Sequence, residues 1–158
     1  MKLSIKILTA VSILILLFPD CKKGSDPASD PIVIDLTKPT ISVLKPTAGQ
    51  SFDAGTTILF QATFSDNINL KSYEITITKA VIGGLNLKIV PISAPFSYIK
   101  ASTSFGLGVK QQEINLNDIV IPSNSATSII TPGKYYFKVT CIDSSNNILE
   151  TIVEININ

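Results

Sequence analysis

Gly133-Lys134-Tyr135-Tyr136-Phe137-Lys138-Val139-Thr140-Cys141-Ile142-Asp143 is the stretch on which the fold reading turns. Tyr135, Phe137, Val139 and Cys141 fall on one face, and Tyr136, Lys138 and Thr140 on the other. A period of two is the signature of a half-buried strand. Asp143-Ser144-Ser145-Asn146-Asn147 follows as a turn, because Asn and Asp tolerate left-handed backbone and close Asx turns. Leu149, Thr151, Val153, Ile155 and Ile157 then alternate with Glu150, Glu154 and Asn156. The two runs predict a long closing hairpin.

The same period recurs upstream. Ile41 and Val43 flank Ser42, and Pro46-Thr47-Ala48-Gly49 carries turn chemistry. Over residues 57–65, Ile58, Phe60, Ala62 and Phe64 share one face, with Leu59 the exception on the polar side. Tyr73, Ile75 and Ile77 do the same over residues 71–79. Gly83-Gly84 reads as a hairpin turn and residues 85–92 as the next strand. Pro91 and Pro95 interrupt pairing, so residues 96–99 are expected as a short edge strand and residues 101–110 as a mobile loop. Alternation returns through Ile114 and Leu116, then Ile119 and Ile121, before a polar loop over residues 122–132. No segment has a helical period. The expectation is an all-β antiparallel domain over residues 38–158.

The start of the chain has a different character. Lys2 and Lys6 precede a charge-free run over residues 7–18, followed by Pro19-Asp20-Cys21-Lys22-Lys23. A charged start and an apolar run of about 7–15 residues is an export-signal layout. The run is too short for a membrane span, which takes about 20 apolar residues. Ordinary cleavage before Cys21 would put Asp20 and Phe18 where small residues are wanted. The layout resembles instead a bacterial lipoprotein signal of the looser Bacteroidota type, which implies removal of residues 1–20 and acylation of Cys21. An uncleaved or differently cleaved leader would leave Cys21 as a tail thiol. Residues 21–37 are then a lipidated Cys and a flexible linker, polar and broken by Gly24, Pro27 and Pro31.

Composition excludes several function classes. Without residues 1–20 the chain keeps eleven lysines against eleven acids and is neutral, which argues against capture of nucleic acid. It has no Arg, so bidentate phosphate or guanine recognition is absent. It has no His, the commonest general base and transition-metal ligand, and no Trp to stack on a sugar. Cys141 alternates with core positions and reads as a small buried hydrophobe.

The run from Gly133 to Val139, with Asp143 and Asn147 after it, resembles the last two strands of bacterial immunoglobulin-like domains. Lys38-Pro39 and Phe64-Ser65-Asp66-Asn67 with Leu70 resemble their early part. Taken together, residues 21–158 are similar to a Bacteroidota family of single-domain lipoproteins of unknown function with an immunoglobulin-like, cadherin-like fold. The resemblance implies an immunoglobulin-like antiparallel β-sandwich of about seven to eight strands. Asn146 stands where that family has Gly. The histidines its members carry mid-chain are missing here, so no metal role resting on them transfers.

In such a sandwich the loops after the second and sixth strands meet at one end. That would gather Asp66, Asn67 and Asn69 with Asp143, Ser145 and Asn146, and bring Asp35 within reach. Hard oxygens from several loops suit calcium, so Asp66, Asn67, Asp143 and Asn146 are the candidate ligands; ordinary Asx turns would use the same residues. Phe96, Tyr98, Phe105 and Leu107 form a candidate binding patch, or fold back to cap the core. No catalytic residue is expected, since no nucleophile–base spacing occurs, and no cofactor other than calcium. The functional expectation is a non-catalytic, lipid-anchored binding or adhesion module of the cell envelope. The membrane would be met through the lipid, and the partner would be a protein or glycan, not nucleic acid. The alternative is a structural accessory subunit of an outer-membrane nutrient-uptake complex. The expected location is the outer membrane, with the face left open.

Overall fold

The closing hairpin forms as the alternation requires. In the computed structural model, β9 (Gly133–Asp143) pairs antiparallel with β10 (Ile148–Ile157), from Ile142↔Ile148 to Gly133↔Ile157. Tyr135, Phe137, Val139 and Cys141 are all 0% exposed. The connecting turn is closed by two backbone bonds, Asp143 N–H to Asn147 O and Asn146 N–H to Asp143 O. Asn146 has φ of 68°, a left-handed position where Gly is favoured and Asn is the next best tolerated.

The structure describes residues 34–80 and 93–158. The leader over residues 1–20, most of the linker, the Gly83-Gly84 turn and the whole of the strand expected over 85–92 lie outside the described residues. The remaining strands are β1 (Thr40–Lys45), β2 (Ser51–Phe52), β3 (Thr57–Ser65), β4 (Leu70–Lys79), β5 (Ser93–Ala94), β6 (Tyr98–Ser104), β7 (Gln111–Val120) and β8 (Ile129–Ile130). Sheet order is β1-β3-β7 in one layer and β2-β10-β9-β4-β6 in the other, with a two-residue pairing of β5 and β8. This is an all-β immunoglobulin-like sandwich. Among the described residues, seven strands have six or more residues, and three are two-residue pieces.

The layers are joined by aromatic contacts. Phe60 of β3 stacks on Phe137 of β9 with centroids 5.5 Å apart. Phe64 meets Tyr73 of β4 at 5.4 Å. Around them Ile58, Ile75, Ile77, Ile119, Val139 and Ile155 are fully buried. At the start of β9 the Tyr135 hydroxyl donates to Thr131 O at 2.6 Å and accepts from Phe96 N–H at 3.2 Å. A tyrosine bonded back to the chain a few residues upstream is the tyrosine corner of immunoglobulin-like sandwiches.

The phase change along β7 has a structural counterpart. Ile58 faces Ile119, but Phe60 faces Leu116. Two residues of β7, Asn117 and Asp118, therefore oppose the single Leu59, which is a β-bulge. Both halves of β7 keep their isoleucines toward the core, and Leu59 stays 42% exposed.

Two expectations are corrected. Residues 101–110 are not a loop throughout, because Ala101–Ser104 extends β6, which pairs with β4 from Tyr98↔Ile77 to Ser104↔Ser72. The edge strand runs from Tyr98 to Ser104, whereas the sequence suggested residues 96–99. An edge strand at the end of the sheet order is held by backbone pairing on one side. None of its residues is buried, so it leaves no apolar alternation to read.

Cys141 is a free, fully buried thiol. Burial pushes it up to about 12, and the negative charges of Asp66 and Asp143 add to the shift. A protonated, enclosed thiol is inert. The Cys141 peptide is therefore expected to stay unlabelled by iodoacetamide in native protein and to label fully in denaturant, as read by peptide mass mapping. Labelling of that peptide in the native state would show the core around it to be open.

Candidate metal centre

Three segments meet at one end of the sandwich. They are the entry segment over residues 34–39, the β3–β4 turn over residues 66–69, and the β9–β10 turn over residues 144–147. The two turns are tied directly, since Ser144 N–H donates to Asn69 O at 2.9 Å. The entry segment is tied to the second turn by the Asn147 side-chain amide, which donates to Asp35 O at 3.0 Å and to Thr37 O at 3.2 Å.

Each turn is built on an Asp. Asp66 Oδ2 accepts from Ile68 N–H at 2.9 Å and Asn69 N–H at 2.7 Å. Asp143 is fully buried. Its Oδ1 accepts from Ser145 and Asn147 N–H, both at 2.8 Å, and its Oδ2 from the Asn147 amide at 2.7 Å. Asp35, only 6% exposed, accepts at Oδ1 from Thr37 N–H at 3.0 Å and from the Asn67 amide at 3.1 Å. The Thr37 bond holds the Asp35 carboxyl below its usual range, and Asn67 adds to this, so it is ionised near neutral pH.

These bonds use up one side of Asp35 and of Asp66. Asp35 Oδ2, Asp66 Oδ1 and Asn69 Oδ1 are buried and have no hydrogen-bond partner among the described residues. The three carboxylates each bring an oxygen within 4.8 Å of the other two. None of the ion pairs among the described residues, Lys100–Asp118, Lys134–Glu154 and Lys138–Glu150, touches them.

Of the residues singled out from the sequence, Asp66 and Asp143 lie in the cluster. Asn67 stands beside it as a donor to Asp35. Asn146 turns away, its Oδ1 accepting from the Lys71 ammonium at 2.6 Å. The part of Asn147 as the clasp on the entry segment was not foreseen; the Asp-x-x-x-Asn spacing of the turn is its one signal.

Phe96, Tyr98, Phe105 and Leu107 do not form one patch. Phe96 is buried against Tyr135. Phe105 packs on Phe64 and Tyr73, with centroids 5.2 and 5.3 Å away. Tyr98 is half-buried on the edge strand. Leu107 alone stands free at 99% exposure, beside a shallow cleft that also takes in Asn69, Lys71, Ser104 and Ser144.

Fold and site together define an immunoglobulin-like β-sandwich module with a carboxylate cluster where its entry segment joins the strands. The chain belongs to the DUF4625 family, a domain of unknown function, whose pattern matches residues 20–158. No curated protein matches it. Among solved structures it is similar to the fibronectin(III)-like modules of Clostridium thermocellum CbhA, at 14% identity and TM-score 0.43, over 75% of this chain and 46% of that one. It is also similar to a part of the beta-glucosidase from Listeria innocua in complex with gluconolactone, at 14% identity and TM-score 0.39, over 87% of this chain and 20% of that one. The chain thus spans less than half of the first and a fifth of the second.

Proposed function

We propose that this chain is a non-catalytic binding or adhesion module, held on the outer membrane of a bacterial cell envelope by a lipid on Cys21. The observation that carries the reading is the order of its parts. A charged start, an apolar run, Cys21 and a polar linker stand ahead of an immunoglobulin-like sandwich. Two features support the absence of catalysis. The Cys141 thiol is enclosed and protonated. Among the described residues, lysine ammoniums bond carboxylates, backbone carbonyls and Asn146, never a Ser or Thr hydroxyl. A chain that is neutral without residues 1–20 and has no Arg suits a protein or glycan partner rather than nucleic acid.

Mass spectrometry of the chain purified from membranes tests the anchor. The expected N-terminus is Cys21 carrying a diacylglycerol, and Cys21→Ser is expected to move the protein from the membrane to the soluble fraction. A mature N-terminus elsewhere, or an unmodified Cys21, overturns the reading.

A further inference from the structure

The geometry points to a calcium site formed by Asp35, Asp66, Asn69 and Asp143, which clamps the entry segment onto the two turns. Turn-making alone does not explain these side chains. An Asx turn consumes one carboxylate oxygen, and Asp35 Oδ1 and Asp66 Oδ2 serve that purpose. The second oxygen of each is left over. Asp35 Oδ2 sits on a residue only 6% exposed, lacks any hydrogen-bond partner among the described residues, and belongs to a carboxylate that faces two others. Asn69 Oδ1, on the residue whose N–H is held by Asp66, is a further unpartnered acceptor. Buried acceptors are normally paired, and three of them here, on residues of one cluster, are not. A cation would answer all three at once.

Chemistry selects the ion. The donors are all oxygens, which disfavours zinc. Calcium holds oxygens at about 2.3–2.6 Å, so opposite ligands stand about 4.6–5.2 Å apart. The carboxylate oxygens here lie within 4.8 Å of one another, inside the reach of one calcium shell. Magnesium needs an octahedron at about 2.0–2.1 Å and keeps most of its water. Four side chains leave room for water or backbone oxygens in a shell of six to eight. Because Asp35 belongs to the entry segment and the other three to the turns, the ion would pin residues 34–39 to this end of the sandwich. This inference does not depend on the lipid on Cys21.

The test uses the full chain, purified in detergent, stripped with chelator and titrated with calcium chloride by calorimetry and thermal unfolding. Three carboxylates of this kind suggest a Kd on the order of 0.1 mM. At 10 mM calcium the melting temperature is then expected to rise by about 5–10 °C, and magnesium to give less than half of that. Asp35→Asn is expected to weaken calcium binding at least 10-fold while the calcium-free protein stays folded. Asn69→Asp, which adds a charge without disturbing Asp35, is expected to tighten it. No response of the wild-type chain to calcium overturns the inference, as does an equal response to magnesium. Unchanged binding in both variants places the ion elsewhere and overturns it too.

Discussion

Phe137→Ala is expected to lower the stability of the domain by about 3–5 kcal/mol, the range for deleting a buried aromatic. Phe137 is fully buried at the middle of β9, with β4 and β10 on either side. Its cross-strand neighbours are Ile77 and Val153, and its ring stacks on Phe60 of the opposite sheet. Two hydrogen-bonded flanking strands keep the backbone from closing over the space a truncation leaves. The penalty therefore combines lost transfer energy with an unrelieved cavity. Domains of this size hold about 5–15 kcal/mol in total, so the melting temperature should fall by about 10–20 °C. Tyr136→Ala, one residue away but 42% exposed on the outer face, should cost under about 1 kcal/mol. Urea unfolding with an unchanged slope would assign the difference to the folded state. A loss for Phe137→Ala no larger than that for Tyr136→Ala would mean the two sheets do not pack through this ring.

The contrast between these neighbours shows which parts of the molecule could be read in advance. Where a strand buries one face and wets the other, the side chains record it, as Ile58 to Phe64 and Tyr135 to Cys141 do. Even the bulge opposite Leu59 leaves a trace, since the apolar positions of β7 slip by one between Leu116 and Ile119. The edge strand left none, because Tyr98 to Ser104 is held by the backbone bonds of β4 and buries little. The acidic end was legible as a gathering of loops. Its chemistry was not, because the choice of oxygen is a matter of rotamer and backbone direction. Asn67 and Asn146 looked equivalent to Asp66 and Asp143 as oxygen donors. The fold gives Asn67 to Asp35 and Asn146 to Lys71.

That division of oxygens makes opposite mutational outcomes at two neighbouring carboxylates. Asp143→Ala is expected to cost about 2–4 kcal/mol, because it removes the acceptor for Ser145 N–H, Asn147 N–H and the Asn147 amide. Each donor stranded near a buried position costs about 1–3 kcal/mol, and the partly exposed turn lets water recover some of the sum. The Asn147 amide would also lose the anchor that aims it at Asp35 O and Thr37 O, so the entry segment should loosen. Asp66→Asn should do the reverse in calcium-free buffer. Its carbonyl can keep the Ile68 and Asn69 bonds, while the new NH2 takes the place of the unpartnered Oδ1 and donates toward the remaining carboxylates. One negative charge leaves a cluster of three, which relieves repulsion. The melting temperature without calcium is expected to rise by about 4 °C, the size of a change near 1 kcal/mol in a domain of this length. With calcium at 10 mM the order should invert, because the variant has lost a charged ligand and gains little from the ion. Thermal unfolding of wild type and both variants, with chelator and with calcium, measures the whole set. If Asp66→Asn destabilised the calcium-free chain as Asp143→Ala does, both carboxylates would serve only their turns, and the spare oxygen of Asp66 would have no separate role.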